Sequence, residues 1–281
     1  MTAPSNVHWT GEFREEGELY FRVGRDGARF VAEWLGVCTL HADADGTGSE
    51  LVPAPGADPM LVDKVHRGLA RALVRHLEGK LTLHASASSF GEVAIACTGA
   101  SQAGKSTLAA KLVAGHGGEL VADDTLAVDL RDGAVIVHPT ERLSWLLPDA
   151  CRALGSIRED GLDERGSSDE DDGGLKYPVE PKRIAVGETR LAALVVLVFD
   201  DALSVPRLTR LRGLDAVKQL VASVVRFVLD EPERNRREME QLARLSEAVP
   251  IYELARPRAL EKLDATADVL RELARHRAGG A

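Results

Sequence analysis

One lysine, one serine, two adjacent aspartates and a histidine stand close together in this chain: His84, Lys105, Ser106, Asp123 and Asp124. A cation, a hydroxyl, two carboxylates and an imidazole can together hold a phosphoryl group, a divalent cation and a proton. The spacing around the lysine is specific. Gly99-Ala100-Ser101-Gln102-Ala103-Gly104-Lys105-Ser106-Thr107 satisfies G-x-x-x-x-G-K-[ST] at every required position. Gly99 and Gly104 let the backbone curl so that successive N–H groups face phosphate oxygens. The helix that follows presents unpaired N–H groups and the positive end of its dipole. Lys105 reaches the β- and γ-phosphates, and the Ser106 hydroxyl offers Mg²⁺ a ligand. The pattern predicts a site for a nucleoside triphosphate with Mg²⁺.

The flanking sequence supplies the elements that such a loop needs. Val93–Cys97 is an apolar run that reads as a buried strand, and Thr107–Val113 is a run of helix formers stopped by Gly115-His116-Gly117-Gly118. Glu119–Ala122 then forms a short strand with Asp123 and Asp124 at its carboxyl end, beside the loop. On an extended chain the two carboxylates point to opposite sides. One can serve a metal while the other faces an acceptor hydroxyl and takes its proton. His84 lies near the end of an apolar strand read over Leu81–Ala87.

Upstream, residues 1–58 read as a β-rich region. Asp26-Gly27 turns a hairpin between Glu18–Val23 and Ala28–Ala32, and Trp34–Leu40 reads as a further strand. The proline-rich Pro53–Pro59 ends that region and opens a second one over 59–281. Met60–Leu77 is helical by period, with Leu61, Val65, Leu69, Leu73 and Leu77 inward and Lys64, Arg67, Arg71 and Arg75 on a solvated face. After the aspartates, Leu126–Leu130 and Ala134–Val137 form a hairpin turned by Asp132-Gly133. Residues 159–174 hold too few apolar groups to offset ordering entropy and read as a loop. Lys176, Lys182 and Arg183 follow it; Lys176 and Arg183 can reach phosphate or substrate. Leu191–Phe199 reads as a strand buried on both faces, ended by Asp200 and Asp201 as turn formers or second metal ligands. Helices are expected near 214–229, 233–248 and 258–276, with Leu220, Val224 and Phe227 on one inward face.

Composition narrows the partners. The 281 residues carry a formal net charge of -9, which argues against general affinity for nucleic acid or an anionic membrane. Three cysteines, unevenly spaced, suggest neither a disulfide framework nor a zinc site. His8 and His41 lack further ligands at metal-site spacing. Met1–Asn6 lack the apolar segment of an export signal, and no apolar run is long enough to span a bilayer, so a cytoplasmic protein is expected. Only two asparagines occur, Asn6 and Asn235, and neither stands in a guanine-reading N-K-x-D. Eukaryotic-type kinase motifs are missing too: His66-Arg67 is followed by Gly68. The pattern specifies no oligomeric state.

His84, the glycine-rich loop and Leu120-Val121-Ala122-Asp123-Asp124 together resemble the core of the HPr kinase/phosphorylase family and its HPr-kinase-like relatives. Some of those relatives phosphorylate a serine of a ribosomally made peptide such as a lasso precursor. The resemblance runs from about 80 to 140 and loosely to Val249–Leu254. It implies an α/β fold, a P-loop kinase core with a mixed sheet and flanking helices behind the β-rich N-terminal region. It also implies an ATP- and Mg²⁺-dependent transfer to a hydroxyl, with Asp124 as base, Asp123 assisting the metal with Ser106, and His84 and Lys105 near the transferred group. A peptide or small protein is the expected acceptor, with a small hydroxyl compound as the other class. Gln102-Ala103 replaces a glycine-bearing stretch of the bifunctional enzyme, Thr107 stands where an acidic residue is common, and its later glycine-rich signature has no copy here. Those departures group the chain with the relatives rather than with enzymes acting on HPr or running phosphorolysis. A non-catalytic nucleotide-binding regulator or scaffold would use the same loop, but simple binding requires no base.

Overall fold

The computed structural model describes residues 7–155, 176–227 and 232–279. The chain divides into two compact units, Met1–Thr82 with Val225–Glu240, and Leu83–Val224 with Gln241–Ala281. The 58/59 division read from the prolines falls inside the first unit.

In the first unit five strands form an antiparallel meander in sequence order: β1 (His8–Glu15), β2 (Glu18–Asp26), β3 (Arg29–Trp34), β4 (Cys38–Ala42) and β5 (Glu50–Pro53). The Asp26-Gly27 hairpin is present, Asp26 pairing with Arg29. The strand expected over Trp34–Leu40 is instead broken at Leu35–Val37, where Gly36 takes φ 72 and turns β3 into β4. The inward face of this sheet (Val23, Phe30, Ala32, Leu40) packs on Leu73 and Leu77 from the helix that follows the prolines, and on Phe227.

That helix is interrupted. Helix α1 (Pro59–Val65) passes through a π-helical turn over His66–Ala70 into α2 (Arg71–Leu77). The wider turn rotates everything before it relative to a continuous α-helix. Leu61 and Leu69 are therefore exposed, whereas Ala70, Ala72, Leu73 and Leu77 are buried. Arg75 is also buried, donating to the Leu81 carbonyl at 3.0 Å, rather than lying on a solvated face. Residues 225–240 join this unit because Arg234 bonds the carbonyls of His76 and Leu77, which end α2, while Arg226 pairs with Glu238 at 2.6 Å.

The second unit is built on a mixed, nine-stranded sheet. Its strands are β6 (Leu81–His84), through which the chain enters this unit, β7 (Ser86–Phe90), β8 (Val93–Thr98), β9 (Glu119–Ala122), β10 (Thr125–Arg131), β11 (Ala134–His138), β14 (Thr189–Phe199), β15 (Arg207–Leu211) and β16 (Ile251–Arg256). The short β12 (Ser144–Leu146) and β13 (Tyr177–Val179) pair separately. β8 lies parallel to β14 and β14 parallel to β16; β7 and β9 extend the sheet antiparallel. The expected strand 81–87 is thus split at Ala85, while the buried strand at 191–199 and the hairpin at 126–137 are present.

Helix α3 (Lys105–Gly115) and α7 (Leu263–Ala278) cover the central strands, Leu108 and Leu112 meeting Leu263, Ala267, Leu270 and Leu273 over Ile95, Val195 and Leu197. Helix α4 (Pro148–Leu154) packs on α3 through Ala150, Cys151 and Ala110. Helix α5 (Gly213–Ser223) stops short of the expected 229, because Val224 leaves it to bridge Leu83. Helix α6 (Pro232–Ala248) precedes β16. Residues 156–175, which include the acidic loop read over 159–174, lie outside the described residues, as do 228–231. No described helix is long and apolar enough to cross a membrane.

The π-turn sets a test of register. Leu73→Ala should destabilise the protein by about 2–5 kcal/mol, whereas Leu69→Ser should change it by less than about 0.5 kcal/mol. Urea denaturation of the two variants would measure both, and equal losses would mean an uninterrupted leucine stripe.

Candidate active site

The glycine-rich loop joins the carboxyl end of β8 to the first turn of α3. Close packing explains its glycines. Gly99 has φ 140 and passes Leu197 so tightly that a Cβ would lie 2.7 Å from that carbonyl oxygen. Gly104 has φ 82, and a Cβ there would run into the Arg256 guanidinium. Gln102 also takes a left-handed φ of 59, and with Ser101 it is exposed at the tip. Lys105 is 8% exposed and folds back over the loop, donating to the carbonyls of Gly99 at 3.1 Å and Ala100 at 3.0 Å. Burial lowers its pKa, an effect the Asp124 carboxylate opposes. Ala103 is buried, and Ser106 and Thr107 open the helix.

The two aspartates occupy opposite environments. Asp123 is 3% exposed. Its carboxylate accepts from the Trp145 backbone N–H at 2.7 Å and from the Ser106 hydroxyl. Burial outweighs both bonds and pushes its pKa up from 3.8 to about 6. Asp124 turns outward, its side chain 49% exposed, with one oxygen 3.3 Å from His84 Nδ1.

His84 is fixed through its backbone. Its carbonyl accepts from the Thr98 hydroxyl at 3.1 Å, and the next N–H, of Ala85, donates to the Asp124 carbonyl at 3.1 Å. The residue is thereby joined to the strand before the loop and to the second aspartate. Desolvation holds the imidazole below its ordinary pKa in spite of Asp124 beside it. Lys176 is exposed, and its charge acts on His84, Lys105 and Asp123 alike.

The structure therefore brings together His84, the 99–107 loop, Asp123, Asp124 and Lys176. Arg183 is placed differently: it is exposed, and its backbone carbonyl bonds the Leu120 N–H alongside β9. Lys182 bonds the Ala114 carbonyl at the end of α3. Asp200 and Asp201 serve the turn after β14, accepting from the N–H groups of Ala202 and Arg258. Sequence reading missed Arg256, which ends β16 and donates to the Ala103 carbonyl at 2.7 Å. Nothing in the local stretch Val249–Arg256 signals that contact, which arises from strand pairing and loop approach.

Among the described residues no group of three or more His, Cys, Asp and Glu side chains forms a ready-made metal cage. Mg²⁺ rarely needs one, since phosphates and water fill most of its octahedron. A carboxyl oxygen next to a serine hydroxyl is a donor set of the hard-oxygen kind that such an ion takes.

No family model matches the chain, and no curated protein matches it in sequence. Among solved structures it is similar to the HPr(Ser) kinase/phosphatase from Coxiella burnetii, at 15% identity and a TM-score of 0.36, over 71% of this chain and 98% of that one. This is a weak structural resemblance.

The Asp123 environment sets a pH dependence. The folded protein holds this proton more tightly than the unfolded chain does, so unfolding releases it between the two pKa values, 3.8 and about 6. Stability of the metal-free protein should fall as pH rises through that window, by on the order of 3 kcal/mol. Asp123→Asn removes the loss. With chelator present, its melting temperature relative to wild type should be higher at about pH 8 than at about pH 4.5. Identical differences at both pH values would contradict a sealed carboxyl.

Proposed function

We propose that the protein is an ATP- and Mg²⁺-dependent phosphotransferase acting on a hydroxyl, most simply a serine of a peptide or small protein. The observation that carries this reading is the unequal treatment of two neighbouring carboxylates. Asp123 is sealed beside Ser106, whereas Asp124 is open and touches His84. A site that only bound nucleotide would have no use for the second, outward-facing carboxylate.

Bound ATP would supply the transferable phosphoryl group, and Mg²⁺ the positive charge that offsets the negative charge of the phosphates. Ser106 and Asp123 are the residues that would hold the ion, and the N–H groups of 99–107 those that would cradle the phosphates. Lys105, already drawn over the loop, holds negative charge there. Asp124 takes the proton from the acceptor hydroxyl. His84, kept neutral by desolvation, orients that carboxylate and offers its ring to the transferred group. Lys176 adds positive charge at the open side. A small hydroxyl compound is the alternative acceptor, and its chemistry at Asp124 would be the same.

Transfer of label from γ-labelled ATP tests this, with peptide and protein extracts and small hydroxyl compounds as acceptors. Asp124→Asn should cut transfer by about 10²–10⁴-fold while nucleotide still binds, and Lys105→Ala should lose binding as well. Wild-type transfer by Asp124→Asn would remove the base assignment. Tight nucleotide binding with no label moved by the wild type into any acceptor would favour a regulator or scaffold.

A further inference from the structure

Three parallel strands end side by side in the second unit. Thr98 of β8 pairs with Val196 of β14, and Phe199 of β14 pairs with Arg256 of β16. Ligands of open α/β sheets collect at such carboxyl ends. The residue placed there by β16 is a buried cation. Arg256 is 4% exposed, with its guanidinium carbon 4.5 Å from the centre of the Phe199 ring. The same ring meets the exposed Arg258 at 4.4 Å.

The hydrogen bonds of Arg256 are incomplete. One terminal nitrogen donates to the Ala103 carbonyl, yet Nε is buried with no partner among the described residues. Arg256 forms no ion pair with a carboxylate among the described residues, and the charge nearest in the same cluster is a second cation, Arg258. A guanidinium removed from water without a counter-ion costs several kcal/mol. The guanidinium nevertheless lies against the loop itself, with Nη2 so near that a Cβ at Gly104 would run into it.

We propose that Arg256 is a second cation of the loop's anion site, a positioning residue that fixes Ala103–Gly104 and takes its counter-charge from the phosphates of bound nucleotide. The proposal rests on the nucleotide-binding reading above. It predicts that the charge, rather than the hydrogen bond, matters for binding.

Calorimetric titration of ATP and of inorganic tripolyphosphate into wild type, Arg256→Gln and Arg256→Lys tests it, together with melting curves of the ligand-free proteins. Gln removes the charge together with the Nη2 bond to the Ala103 carbonyl, which its shorter side chain does not reach, whereas Lys gives up the same Nη2 bond but keeps a charge. The ligand-free melting temperature of Arg256→Gln should equal or exceed that of wild type, while both ligands bind about tenfold more weakly or worse. Lys keeps the charge and should lie between the two. Binding by Arg256→Gln within about twofold of wild type would overturn the proposal and leave the nucleotide reading intact. So would a loss in Arg256→Lys as large as that in Arg256→Gln, with the melting curves showing that both variants are folded. A wild type that binds neither ligand would overturn both readings at once.

Discussion

The Asp123 carboxylate is the point at which the second unit's elements must agree. It sits at the end of β9, and it is held by a hydroxyl from the first turn of α3 and a backbone N–H from β12. The Ser86 hydroxyl of β7 bonds the same residue's backbone carbonyl. Every direct partner is neutral. A carboxylate in that position has lost its water and gained only dipoles, which is why its proton is held so tightly. Shifting any of these elements would leave a buried acid with an unfilled oxygen. The constraint also has a geometric consequence. Asp123 is pinned inward in the bend between β9 and β10, while Asp124 turns outward there and is set beside His84 by the bond from the Ala85 N–H to its carbonyl.

Apolar packing fixes what the polar contacts orient. The loop can pass within van der Waals distance of Leu197 only because β8 and β14 are in parallel register there, and α3 and α7 clamp that register from one face. The ion pairs across the two helices, Lys111 with Asp264 at 2.8 Å and His116 with Asp264 at 3.1 Å, involve a largely exposed aspartate. Pairs of that kind add little to stability. Leu108, Leu112, Leu263 and Leu270, all essentially sealed, carry the clamp.

Legibility in the sequence follows the range of the interaction that sets each feature. The loop, the aspartate pair and the hairpin at 126–137 are specified by neighbours in the chain, and all three are placed as read. The helix after the prolines is found, but its π-turn is not, so Leu61 and Leu69 are assigned to an inward face that Val65, Leu73 and Leu77 keep and they do not. The end of α5 depends on a bridge between Val224 and Leu83, which no local breaker announces. The strands Ser144–Leu146 and Tyr177–Val179 are too short to show a period, and each exists only because the other pairs with it. Arg256 is the extreme case. Its contacts with Phe199 and Ala103 arise from strand pairing and loop approach, so its type and position alone say nothing of them.

The pairing of Asp124 with His84 has a logic of its own under the proposed chemistry. An imidazolium 3.3 Å from the carboxylate would compete with an incoming hydroxyl for the same oxygen. Desolvation, together with the charges of Lys105 and Lys176, disfavours that imidazolium. The carboxylate's own attraction for the proton is the opposing influence, and it is the smaller of the two, since the imidazole's pKa ends below its ordinary value. A neutral ring lies beside one oxygen of Asp124 without claiming it as an ion pair would, which under the proposed chemistry leaves the carboxylate open to the acceptor. The cations around the site thus do two things at once. Under the proposed chemistry they would supply the field that phosphate requires, and they would add to desolvation in keeping the histidine uncharged beside Asp124.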